Sequence, residues 1–322
     1  MLVSCILLVV GLALVVFGAD YLVEGASAVA RRFGLSEFVI GLTIVGMGTS
    51  APEMVVSFIG AAQGNADIAL GNVVGSNIFN TLLILGVTAL ILPIAITPSN
   101  RKRDIPMNVF VTVLLLVLGL KHSLFGLGED GLSRLDGAVL LAFFIGYMVL
   151  CFLKPGEEVP GPAENDAEEK PLKLGWATVM ILGGLAGLVF GGNLFVNSAT
   201  DIAKQLGVSD KFIAITLLAG GTSLPELATC VAAAVKKKGQ LALGNIIGSN
   251  LFNILLILGG SALIHPLSFQ DITWVDAGVL LVSALALVTS CFVGRRNKVD
   301  RLDGALFFLI WAGYMAWLIL NL

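Results

Sequence analysis

Two hexapeptides, GTSAPE at 48–53 and GTSLPE at 221–226, stand 173 positions apart, and the same spacing separates ALGNVVGSNIFN at 69–80 from ALGNIIGSNLFN at 242–253. At that offset residues 34–93 align with 207–266 without a gap, and 28 of the 60 pairs are identical. A further match, RLDGAVLLAFFIGYM from Arg134 against RLDGALFFLIWAGYM from Arg301, has an offset of 167, so a six-residue length change lies between the two. The duplication takes in nearly the whole chain, and its period is far too long for a solenoid repeat.

What is duplicated is apolar. Of 322 residues, 57% are hydrophobic and 13% charged, with a mean hydropathy of +0.96, which excludes a soluble enzyme and predicts an integral membrane protein. A net charge of −3 offers no basic face to a phosphate backbone, so nucleic acid is not an expected partner. Crossing about 30 Å of hydrocarbon takes roughly 20 apolar residues. The sequence divides into ten such spans, near 2–28, 38–62, 68–92, 106–120, 135–153, 174–200, 211–235, 240–264, 274–293 and 303–320. The first lacks the basic flank of a cleaved leader and resembles the internal sixth span, so it is expected to stay.

Five spans in each half is an odd number, so the second half enters the membrane from the opposite face. The expected fold is therefore all-α, with two inverted five-helix repeats at 1–153 and 174–322, an architecture that sets a transport site at the midplane. Cytoplasmic loops carry the excess of Lys and Arg. With the N-terminus outside, the inner loops hold fifteen of the nineteen basic residues and the outer side only Lys121, Arg134, Lys204 and Lys211. Both termini are thus expected outside a plasma (inner) membrane, with 154–173 cytoplasmic. That segment, rich in proline and glutamate, has the composition of a solvated tether. It lacks the spacing and turn glycine of an EF-hand, so no regulatory calcium-binding domain is expected.

The chemistry must come from oxygen. Cys5, Cys151, Cys230 and Cys291 stand singly in apolar stretches and read as small packing residues, and His122 and His265 lie beside span ends. In the second and seventh spans, Pro52 and Pro225 lack an amide hydrogen and crowd the carbonyl four residues back. Flanking glycines add freedom, so both helices are expected to break at mid-membrane, which is tolerated only where irregular backbone lines a cavity or is buried. Glu53 and Glu226 lie at that depth, where an ionised carboxylate costs about 3 kcal/mol or more, and no Lys or Arg within any span can pair with them. Two carboxylates with freed carbonyls and hydroxyls beside them suit Ca²⁺ and Na⁺ rather than transition metals.

The third and eighth spans form the other wall. Asn72, Ser76 and Asn80 recur every four residues along one helical face, as do Asn245, Ser249 and Asn253. Such a stripe serves either a cation shell or interhelical hydrogen bonds, and spacing alone does not choose. Gly71 with Gly75, and Gly244 with Gly248, read as close-packing pairs. Asp20, Glu24 and Asp201 have no acidic counterpart in the other half and are expected at interfaces; Asp67 reads as a helix-start residue.

In its paired GTSxPE and GNxxGSNxxN segments the chain resembles the sodium/calcium exchanger family, most closely its compact prokaryotic members. The resemblance implies ten helices, four clustered cation positions and alternating access. It implies Glu53 and Glu226, with the carbonyls of Thr49 and Thr222, as Ca²⁺ ligands. Ser50, Ser76, Asn80 and the Gly46 carbonyl, with Ser223, Ser249, Asn253 and the Ala219 carbonyl, would complete the Na⁺ positions. Gly46 stands where the family often has alanine. Asn253 stands where potassium-dependent relatives and some prokaryotic ones carry aspartate, which favours independence from K⁺ and leaves the number of Na⁺ per Ca²⁺ open.

The expected function is Na⁺/Ca²⁺ antiport, with the two ions as cargo and no cofactor. An H⁺/Ca²⁺ or K⁺-dependent exchanger is the rival within transport; the serine and asparagine oxygens argue for bound Na⁺ over protons. A cation channel is the rival of another class, but two glutamates in one chain make a poor filter ring. An enzyme is not expected, since no nucleophile and base pair can be identified.

Overall fold

The computed structural model describes residues 2–154, 172–206, 219–269, 272–292 and 297–321. The body of the acidic segment (155–171), the first part of the expected seventh span (211–218), and Arg295 and Arg296 lie outside the described residues. Helices dominate. Among the described residues, seven are long and apolar enough to cross a membrane, and a further pair, Glu37–Thr49 and Ala51–Ala62, meets at an angle of 49°. Shorter helices lie between and beside them, among them Ile105–Gly119 and Leu224–Val235.

The first long helix runs from Leu2 to Phe33 and its counterpart from Leu174 to Gln205, 32 residues each, or about 48 Å. Both pass the expected ends at 28 and 200. Charged residues lowered the apparent hydropathy there without ending the helix. Asp20 and Glu24 remain about half exposed and share Lys236, at 2.7 and 3.6 Å, while Asp201 is exposed. The two helices pack antiparallel through glycine. A Cβ on Gly18 would lie 2.8 Å from the Gly184 carbonyl oxygen and one on Gly184 2.7 Å from that of Gly18, and Gly11 and Gly191 stand in the same reciprocal relation at 2.9 Å.

Burial separates inner from outer helices. The most apolar stretch of Gly239–Ile264 is 94% buried and that of Ile68–Ile91 67%, against 11% for Arg301–Leu320. The two innermost helices are therefore those that carry the GNxxGSNxxN segments. Their glycines explain how: a Cβ at Gly244 would meet the Phe38 carbonyl oxygen, one at Gly248 the Leu42 carbonyl oxygen, and one at Gly41 the Leu241 carbonyl oxygen. Without a hydrophobic force between helices in lipid, such backbone approach is the main source of tight association. Of the cysteines, three are buried as expected, but Cys5 is exposed on the first helix, where a small apolar side chain suits the lipid-facing side equally well.

The duplication recurs in detail at the helix ends. Ser133 with Asp136 and Asp300 with Asp303 form capping boxes at equivalent helix starts. Arg134 Nε donates to the Leu263 carbonyl at 3.2 Å, and Arg301 Nε to that of Leu90 at 3.1 Å. The expectation of a purely helical chain needs one correction. Two antiparallel pairs of two-residue strands join Ile94–Ala95 to Lys298–Val299 and Gly131–Leu132 to Leu267–Ser268. Interhelical segments must still satisfy their backbone groups, and these do so by pairing with one another. In both pairs the partners are loops that the distribution of Lys and Arg assigns to one side of the membrane.

These contacts make Gly244 intolerant of a side chain. Gly244→Val should destabilise the detergent-solubilised protein by about 1–3 kcal/mol or more, as overpacking does, seen as a lowered unfolding midpoint in a thermal scan. Gly313→Ala, where an added Cβ meets nothing within 4 Å, should leave the midpoint unchanged.

Candidate ion-binding site

Each GTSxPE segment interrupts its helix at the serine. Ser50 adopts φ −82°, ψ 7° and Ser223 φ −88°, ψ 7°, just outside helical geometry. Pro52 and Pro225 sit in the first turns of Ala51–Ala62 and Leu224–Val235, where a missing amide hydrogen costs nothing. Glu53 and Glu226 follow in the same first turns, where exposed amides and the helix dipole favour a negative group. Both glutamates are 1% exposed.

The two halves are stitched together around them by matched hydrogen bonds. Ser50 Oγ donates to Glu226 Oε1 at 2.9 Å, and Ser223 Oγ to Glu53 Oε1 at 3.4 Å. Thr49 Oγ1 donates to Asn245 Oδ1 at 3.2 Å, and Thr222 Oγ1 to Asn72 Oδ1 at 3.5 Å. Behind these, Asn72 Nδ2 donates to Ser57 Oγ at 3.1 Å and Asn245 Nδ2 to Cys230 Sγ at 3.3 Å. Every member of one bond lies 173 positions from its equivalent in the other.

Of the residues expected from the sequence, Thr49, Ser50, Glu53, Ser76, Asn80, Ser223, Glu226, Ser249 and Asn253 are buried, and Thr222 is half-buried. Ser223 Oγ also reaches Ser76 Oγ at 3.3 Å. The Gly46 carbonyl lies 3.5 Å from Ser249 Oγ and accepts from the Ser50 amide at 3.1 Å. Ala219 opens the short helical turn Ala219–Gly221, and residues 207–218 before it lie outside the described part. Asn80 and Asn253 fall in widened π-helical segments, Phe79–Ile84 and Phe252–Leu258, a local departure common at functional sites.

Among the described residues, four buried side-chain oxygens on the expected positions have no hydrogen-bond partner: Glu53 Oε2, Glu226 Oε2, Asn80 Oδ1 and Asn253 Oδ1. Buried polar atoms are rarely left so. No cluster of three or more His, Cys, Asp or Glu occurs among the described residues, so the site's formal charge comes from two carboxylates. Together with neutral hydroxyl, amide and carbonyl oxygens, they make a hard-donor site matched to a divalent or to monovalent cations.

The stripe of asparagines resolves into two uses. Asn72 and Asn245 spend their amides on neighbouring side chains, which is packing and orientation, whereas Asn80 and Asn253 hold an oxygen in reserve. Asn77, Asn250, Thr81 and Ser57 carry no role in the sequence analysis and Cys230 only that of packing, and all five are buried. Asn77 and Asn250 lie one residue off the four-residue stripe, and only their identity at the 173-residue offset marks them. Ser57 and Cys230 differ between the halves, so no repeat signal points to them.

Residues 3–153 and 176–320 match the sodium/calcium exchanger protein family. The chain is 34% identical over 330 residues to inner membrane protein YrbG of Escherichia coli, covering 99% of this chain and 98% of YrbG. It is 32% identical over 344 residues to the sodium/calcium exchanger MaX1 of Methanosarcina acetivorans, covering 97% of each. Its fold is similar to that of the sodium-calcium exchanger NCX_Mj, with a TM-score of 0.83 at 33% identity over 98% of both chains. With the duplicated oxygen-lined site and a match along almost its entire length, the chain belongs to the sodium/calcium exchanger family of membrane antiporters.

Proposed function

We propose that this antiporter exchanges Na⁺ for Ca²⁺ by alternating access at one site between inverted five-helix repeats, 1–153 and 174–322. The observation that carries the proposal is the set of four unpartnered buried oxygens, two from each half at equivalent positions. Ca²⁺ is assigned to Glu53 and Glu226 with the carbonyls of Thr49 and Thr222. Their two charges match one divalent ion, and the threonine hydroxyls are already engaged elsewhere. Na⁺ is assigned to Ser50, Ser76, Asn80 and the Gly46 carbonyl, and to Ser223, Ser249, Asn253 and the Ala219 carbonyl. Neutral oxygens complete a sodium shell but are of no use to a proton carried on a carboxylate, which supports Na⁺ coupling over H⁺. The relatives named as sodium/calcium exchangers support the same reading.

In this account the ten spans stand as the sequence suggests, with the second and seventh helices broken at Ser50 and Ser223. The bend at Ser50 and the matching dihedral angles at Ser223 support it. The termini lie outside a plasma (inner) membrane and 154–173 in the cytoplasm, a placement that rests on the distribution of Lys and Arg; the strand pairs agree with it only in joining loops assigned to the same side. Bound cation relieves the cost of burying two carboxylates, so the site closes over a filled shell more readily than over an empty one.

Glu53→Gln and Glu226→Gln should each reduce Na⁺-driven ⁴⁵Ca²⁺ uptake into proteoliposomes by about 100-fold or more, because one remaining carboxylate cannot balance a divalent ion in a low-dielectric site. Folding should survive, since a neutral amide is easier to bury and still accepts a serine hydroxyl; gel filtration and circular dichroism check this. Uptake at the wild-type rate by either folded variant would refute the assignment.

Coupling is tested with imposed gradients. Wild-type uptake should follow a Na⁺ gradient and be indifferent to K⁺, because Asn253 adds no third charge to the site. Uptake that follows a pH gradient without Na⁺ would establish the proton-coupled rival, strict K⁺ dependence would overturn the reading of Asn253, and flux that ignores all gradients would indicate a channel.

A further inference from the structure

Asn77 and Asn250, the third residues of the repeated Gly-Ser-Asn triplets, belong to neither ion-ligand set, yet each is 2% exposed. They link the two inner helices by a chain of hydrogen bonds. Asn77 Nδ2 donates to the Asn250 main-chain carbonyl at 3.2 Å, Asn253 Nδ2 donates to Asn77 Oδ1 at 2.9 Å, and Asn250 Nδ2 donates to Thr81 Oγ1 at 2.8 Å.

This chain has a fixed direction. A main-chain carbonyl can only accept, so the edge of Asn77 that faces Asn250 must be its NH₂ group. Its oxygen then faces Asn253, which must answer with its own NH₂. Asn253 Oδ1 is thereby turned away from Asn77, buried and without a hydrogen-bond partner among the described residues. The other half does not repeat the device. The Asn250 amide is drawn to Thr81, which stands where the second half has Ile254, and Asn250 Oδ1 accepts nothing among the described residues. Asn80 therefore lacks the clamp from Asn250 that Asn253 receives from Asn77.

We propose that Asn77 is a positioning residue that orients the Asn253 amide, so that position 253 presents a neutral carbonyl-type oxygen to Na⁺. It also makes the two halves of the site unequal. An aspartate at 253 would set one acceptor against another at Asn77, so Asn77 and Asn253 are a matched pair. The proposal rests on the Na⁺/Ca²⁺ reading above.

The test is a double-mutant cycle on purified, reconstituted protein, reading half-saturating Na⁺ and half-saturating Ca²⁺ for Na⁺-driven ⁴⁵Ca²⁺ uptake. Asn77→Leu keeps the branched shape and the number of side-chain heavy atoms and removes both hydrogen bonds. It should raise half-saturating Na⁺ about fivefold, the order of one lost buried hydrogen bond, and leave half-saturating Ca²⁺ within about twofold. Asn253→Ala should raise half-saturating Na⁺ at least as much, and adding Asn77→Leu to it should cause no further change, because Asn77 acts through Asn253. Should Asn77→Leu not yield folded protein, Asn77→Ala and Asn77→Ser are read the same way. Unchanged half-saturating Na⁺ in the Asn77 variants, or additive effects in the double variant, would overturn the positioning role while leaving the exchanger reading intact. A wild type without Na⁺-driven uptake would overturn that reading, and this inference with it.

Discussion

Glu53 and Glu226 are buried side by side in function if not in sequence: each carboxylate accepts a hydrogen bond from the serine that precedes the other by three residues, Ser50 to Glu226 and Ser223 to Glu53. Two carboxylates removed from water, with no basic side chain in the interior of any expected span to neutralise them, are stable in ionised form only with a cation between protein oxygens. Much of the molecule can be understood as meeting that requirement. The chain breaks its helices where the carboxylates enter, so that amides and the dipole of a new helix face them. At matched positions of the two halves, Asn80 Oδ1 and Asn253 Oδ1 are buried without a partner among the described residues. The chain excludes competing positive charge, sending Lys236 instead to Asp20 and Glu24 on the long first helix.

Holding such a site together calls for close backbone contact rather than bulk. The oxygens come from several helices, and short side chains such as serine and asparagine reach one another only if the helix axes are near. Glycine supplies that approach at Gly41, Gly244 and Gly248 around the site, and at Gly11, Gly18, Gly184 and Gly191 between the two 32-residue helices. Large apolar residues such as Phe38, Leu42 and Leu70 fill the interior beside these contacts, and the outer helices expose further Leu, Val, Ile and Phe.

The duplication gives the two halves nearly the same hydrogen bonds, which is what a site presented in turn to opposite faces would need, since the two states must then be close in energy. The departures from symmetry are few and local. Cys230 stands opposite Ser57 as acceptor for an asparagine amide, and Thr81 stands opposite Ile254. Each changes how firmly one asparagine is held without altering the charge of the site. In the exchange mechanism proposed here, such differences are where the two halves can divide the work of binding different ions.

The sequence by itself determined the membrane class, the duplicated organisation and the two carboxylates on which the proposed site is built. These follow from hydropathy, from a fixed offset of 173 and from the expense of an unpaired glutamate in lipid, none of which depends on how the helices meet. It also pointed to a break within GTSAPE, because proline acts on its own helix, and Glu37–Thr49 and Ala51–Ala62 meet there at 49°. The helices run past the expected ends of the first and sixth spans, since a helix continues through charged residues such as Arg31, Arg32 and Asp201 that stay exposed. Tertiary structure alone decided which asparagines hold partners and which keep an oxygen free. Asn72 and Asn80 share one helical face and the same chemistry, yet Asn72 is consumed by Ser57 and the Glu53 carbonyl while Asn80 Oδ1 is left without a partner among the described residues. The roles of Asn77 and Asn250 were hidden for the same reason: an amide's direction is set by the partner on the neighbouring helix, and periodicity along one helix carries no information about what stands across from it.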